Sequence, residues 1–97
     1  MRYKIKELSA VEELQLDGRA QEVFVYLKDI CGTISEAEER CLWAVACNAA
    51  LLSLALNRGG RRAFDNARQV LKRMGLSRIA TLAAQYQNRY EGRNREI

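Results

Sequence analysis

The chain has no histidine and no proline, and only three cysteines in 97 residues. Without histidine the Cys2His2 zinc patterns drop out, along with the side chain that most often moves protons at neutral pH. Cys31, Cys41 and Cys47 are odd in number and lack CxxC spacing. A disulfide framework and a closed zinc site are therefore not expected, and the three are read as small buried hydrophobes. The lack of proline suits a helical chain jointed at glycines. Behind the basic start MRYKIKEL there is no apolar run such as a secretory signal needs, so the expected location is the cytoplasm. The GxxxxGK[ST] spacing of a P-loop is missing, so nucleotide hydrolysis is not inferred.

What the chain does contain is one long uncharged run, CLWAVACNAALLSLAL at 41–56, polar only at Asn48 and Ser53. It is shorter and more interrupted than a membrane span of roughly 20 apolar residues. A helix apolar on every side must be covered, so this run predicts the central helix of a small fold, with Trp43 in the core. Ser35 and Glu38 have capping-box spacing at its start. Glu36, Glu38 and Glu39 oppose the positive end of its dipole. Asn57, Arg58, Gly59 and Gly60 mark its far end, which gives a helix over about 36–57.

Around it, the chain reads as a small, mostly α, single-domain helical bundle over 1–97, with a short N-terminal strand. Arg2 to Lys6 alternate basic and apolar, placing Tyr3 and Ile5 on one face and Arg2, Lys4 and Lys6 on the other. Ser9 and Glu12 form a second capping box, opening a helix that is expected to break at Asp17-Gly18. From Arg19 to Cys31 the apolar spacing is helical, with Gly32 at the cap position. Val23 to Leu27 also fits a strand following an Asp-Gly hairpin, but the helical period covers the longer stretch. Residues 61–74 predict an amphipathic helix with Ala63, Phe64, Ala67, Val70, Leu71 and Met74 inward. A last helix over about 78–90, capped by Ser77, would turn Ile79, Leu82, Ala83 and Tyr86 inward, and 91–97 would fray.

Charge is unevenly distributed. Residues 1–56 hold 6 Lys/Arg against 9 Asp/Glu, and residues 57–97 hold 10 against 3, within a net charge of +4. A basic half beside an acidic one points to a polyanion or an acidic protein surface as partner. The candidate contacts are Arg58, Gly59, Gly60, Arg61, Arg62, Arg68, Lys72 and Arg73. On the sequence alone, the glycines would present bare amides at a helix start and the arginines a phosphate-binding stripe along the helix. No residue set suggests catalysis, a metal or another cofactor. Paired neighbours such as Glu12/Glu13 and Glu38/Glu39 diverge on a helix.

The expected function is therefore a non-enzymatic binding or regulatory protein that docks on nucleic acid through its basic helical half. The spacing of a ribbon-helix-helix unit is not met, and in the helix-turn-helix-like segment Arg68–Tyr90 neither Thr81 nor Ala84 suits the buried position of a recognition helix. The alternative is a small inhibitor or adaptor of a host protein complex. Its profile is that of phage- or mobile-element-encoded proteins such as anti-CRISPR or anti-nuclease inhibitors: one domain, no motif, strong surface charge. A third expectation is a homodimer with the N-terminal strand paired across a two-fold axis.

Overall fold

Two capping boxes start the two long helices. Ser9 Oγ accepts the Glu12 N–H at 3.2 Å while Glu12 Oε1 accepts the Ser9 N–H at 2.9 Å, and α1 follows over Ala10–Cys31. Ser35 and Glu38 repeat the exchange, both bonds at 3.2 Å, and α2 runs over Glu36–Ala55. The computed structural model describes residues 2–91.

α1 does not break at Asp17-Gly18; it is helical throughout. Gly18 costs about 1 kcal/mol relative to alanine in a helix interior. Packing of Leu16, Ala20, Val23 and Leu27 into the core outweighs that, and Asp17 accepts a bond from Gln21 one turn on, at 2.8 Å. The strand alternative for Val23–Leu27 falls with the break.

α2 is central, but only from Ala46 onward. Ala46, Ala49, Ala50, Leu52 and Leu54 are all fully buried, whereas residues 36–45 are at most half-buried. That changes the reading of the cysteines. Cys31 at the end of α1 and Cys41 in the first half of α2 are exposed, and only Cys47 is half-buried. Burial, with Asp17 adding to it, pushes the Cys47 thiol above its usual range. Trp43 is half-buried, edge-on to Phe24 with ring centroids 5.3 Å apart. Buried Ser53 is satisfied on both sides: it donates to the Ala50 carbonyl at 2.7 Å and accepts from Arg19 Nη1 at 3.2 Å.

α2 stops two residues earlier than expected because its continuation enters a sheet. β2 (Leu56–Arg58) lies between β1 (Lys4–Ile5) and β3 (Arg61–Arg62), all antiparallel, with Lys4 opposite Asn57 and Ile5 opposite Leu56. The N-terminal strand thus exists, and its partner is in the same chain. Lys6 N–H extends the pairing to the Ala55 carbonyl at 2.9 Å.

The helix expected over 61–74 shortens to α3, Ala67–Arg73, capped by Asn66 Oδ1 accepting the Gln69 N–H at 3.0 Å. Arg61 and Arg62 belong to β3 because the chain reverses at Gly59-Gly60 and pairs back on β2. α4 spans Leu76–Tyr86, and a π-helical turn follows at Gln87–Glu91. Gly75 occupies the N-cap position of α4, with no side-chain cap from Ser77. Ile79, Ala83 and Tyr86 are buried and Leu82 half-buried, as their spacing predicts. The expected frayed tail falls, beyond Glu91, outside the described residues. Among the described residues no helix is long and apolar enough to cross a membrane.

Candidate nucleic-acid interface

The Asn57–Arg62 segment is a β-hairpin tip, which corrects the expected helix start. Arg58 pairs with Arg61 across a two-residue loop in which Gly59 and Gly60 have φ of 62° and 79°. Positive φ at both loop positions is the type I′ geometry, whose twist matches that of the strands it joins. Residues directly opposite in a ladder share a face. Arg58 and Arg61 therefore project together, and Arg62 projects to the other side with Asn57 and Lys4.

β1 sets the next member of the cluster. Given Lys4 opposite Asn57, Tyr3 falls across from Arg58. The Cζ of Arg58 lies 5.8 Å from the Tyr3 ring centroid, and that of Arg78, from the first turn of α4, lies 5.7 Å from it. Phe64 braces the ring from the core, with centroids 5.5 Å apart. Two guanidiniums remote in sequence are held against one aromatic ring. Such cation–π contacts are worth about 0.5–1 kcal/mol each at exposed sites. They also restrict the arginine rotamers, so less freedom remains to be lost when an anion binds. Beside Tyr3 a shallow cleft of about 300 Å³ is lined by Lys4, Ile5, Gln85 and Arg89. Arg89 Nη1 reaches the Ile5 carbonyl at 3.5 Å, where the Tyr90 hydroxyl also donates at 3.3 Å.

The other expected contacts separate into distinct roles. Arg62 Nη2 binds Glu12 Oε2 at 2.9 Å, with Lys6 Nζ 3.6 Å from the other carboxylate oxygen. It is a structural tie between β3 and α1. Arg68 lies over the ring of Tyr26 in α1, its Cζ 4.2 Å from the centroid. Its guanidinium faces a cleft between α1 and α3 lined also by Gly18, Arg19, Glu22 and Asp65. Lys72 and Arg73 end α3, exposed and, among the described residues, without an ion pair. The expected single stripe on one helix is thus divided among a hairpin, a strand pairing and a short helix.

Sequence reasoning singled out Arg58, Gly59, Gly60 and Arg61 as candidates and did not set Tyr3, Arg78 or Arg89 beside them. The alternation of Arg2 to Lys6 was the available signal, since it put Tyr3 on the inward face. Nothing local showed that this face meets Arg58.

No known protein family, curated protein or solved structure matches this chain. Among the described residues no group of three or more His, Cys, Asp or Glu side chains is placed to hold a metal.

Proposed function

We propose that the protein is a non-enzymatic nucleic-acid-binding module that grips the phosphate backbone with the cationic surface around Tyr3. The observation that carries this reading is the placement of Arg58 and Arg78 on one tyrosine ring, with Arg61 on the same sheet face as Arg58. Guanidiniums offer planar, two-pronged contacts to phosphate oxygens, and a group of them loses little by ordering when it is already braced. The type I′ tip has no side chain on either loop residue, so a backbone strand can approach it closely. Arg89, which lines the cleft beside Tyr3, adds positive charge there.

Binding of this kind depends on salt and is nearly indifferent to sequence. Anisotropy titrations with labelled duplex DNA, single-stranded DNA and RNA at several salt concentrations test it. The expected result is affinity that falls steeply with salt. Reversing Arg61 and Arg78 to Glu should weaken all sequences alike and flatten the slope of log K against log salt by about 2. Lys28→Glu, in the last turn of α1 and paired with Glu39 at 3.6 Å rather than with any residue of the cluster, should leave binding unchanged. Absence of binding at low salt would refute the reading and leave the same cations to an acidic protein surface.

A further inference from the structure

Several larger clefts among the described residues have carboxylates in their walls, Glu22, Glu13, Glu36 and Glu38 among them. The cleft of about 300 Å³ between β1 and α4 has none; Tyr3, Ile5, Gln85 and Arg89 line it, with Lys4. Such a wall favours a ligand that is anionic or neutral. Tyr3 and Ile5 are half-buried and give it an apolar side. The Ile5 carbonyl already accepts from Arg89 and Tyr90. The exposed Gln85 amide, by contrast, has no hydrogen-bond partner among the described residues.

The cleft sits between cations. At about 100° per residue, Arg78, Leu82 and Gln85 fall inside an arc of roughly 60° on α4, beside the buried side marked by Ile79, Ala83 and Tyr86. Arg78 lies against the Tyr3 ring at the start of that row, where Arg58 also lies. Gln85 stands two turns, about 10 Å, further along the helix. Arg89 follows in the π-helical turn, its Nη1 3.5 Å from the Ile5 carbonyl. Cations at both ends, an amide between them and a ring alongside match the alternation of phosphate and base along one strand of nucleic acid.

Given phosphate binding around Tyr3, on which this step rests, we propose that the protein selects single-stranded nucleic acid by taking one unpaired base into the β1–α4 cleft. The phosphates on either side of that base lie on Arg78 with Arg58 and on Arg89. The base lies along Tyr3 and Ile5, and Gln85 hydrogen-bonds its pairing edge. An amide offers both donors and an acceptor. The pairing edge of every base presents a matching set, so no base is strongly preferred. A cleft of this volume is at the small end of ligand sites, about 300–1,000 Å³, and admits one base but not a pair. In a duplex the pairing edge is occupied, and the base must be turned out of the stack before it can enter.

Anisotropy titrations of the full chain at one low salt concentration test this, with labelled DNA and RNA single strands of about 15 nucleotides and the same sequences as duplexes. Single strands should bind about tenfold more tightly than duplexes, the scale of one base–aromatic contact. A strand of the same length built of abasic sugars keeps every phosphate and should lose that advantage. Gln85→Ala should narrow the gap between strand and duplex while its thermal midpoint holds, since Gln85 is exposed on a helix. Duplex binding equal to or tighter than single-strand binding overturns the inference and leaves phosphate binding standing. Undiminished binding of the abasic strand, or a Gln85→Ala variant that keeps the full gap, does the same. No binding of any of these at low salt overturns both.

Discussion

Glu12 is a carboxylate only 6% exposed, yet it is held ionised. The Ser9 backbone N–H does most to lower its pKa; burial opposes this, and Arg62, the Ser9 hydroxyl and Lys6 add to the lowering, bringing it from 4.5 to about 2. A carboxylate depressed in the folded state stabilises the fold fully above its unfolded pKa and stops doing so as pH falls through its folded one. Stability should therefore drop between about pH 4.5 and pH 2, by on the order of 2 kcal/mol. Urea midpoints across that range measure it, and Glu12→Gln should start lower and flatten the acid limb. Tyr86 acts at the same scale. Its buried hydroxyl accepts the Leu8 N–H at 3.1 Å, so Tyr86→Phe leaves a buried donor without that partner and should cost about 1–3 kcal/mol in urea unfolding.

At the scale of elements, one substitution should act with opposite signs at two glycines. Gly18→Ala, in the middle of α1 with open space around it, should stabilise by about 0.5–1 kcal/mol. Gly60→Ala, at φ 79° in the hairpin loop, should destabilise by about 1 kcal/mol. Thermal midpoints of the two variants check both. The capping boxes of α1 and α2 were legible in the sequence because each is a local exchange over three residues. The 61–74 segment was legible in another sense. Phe64, Ala67, Val70 and Met74 are all buried, as their spacing predicts, although only Ala67–Arg73 is helical. Apolar spacing records which side chains reach the core more faithfully than it records backbone conformation. Arg61 and Arg62 leave the helix because β2 is in place to pair with them, and β2 is itself held by β1, from far away in sequence. The same distance hid Tyr3 and Arg78. Charge composition alone exposed Arg58 and Arg61, whereas assembling the site required a strand pairing and the start of α4.

Across the whole molecule, binding and stability should be separable. A domain of this size is stable by about 5–15 kcal/mol. Leu52, with no exposure at all at the centre of the core, should cost about 2–5 kcal/mol when cut to alanine. That change should leave the salt slope of the proposed nucleic-acid binding intact wherever the protein remains folded. Arg61→Glu is exposed on the edge strand and should do the reverse, shifting stability by no more than about 0.5 kcal/mol while weakening binding. Paired urea and anisotropy measurements on the two variants test this division.

The order of the sheet also has a consequence in time. β1 is made first, yet its partner is β2, with Lys4 opposite Asn57, 53 positions later. At synthesis rates of roughly 5–20 residues per second, β1 waits about 3–10 s before its pairing edge exists. Only then can Tyr3 meet Arg58. Arg78 follows later still, so the cationic cluster is among the last features a growing chain can complete.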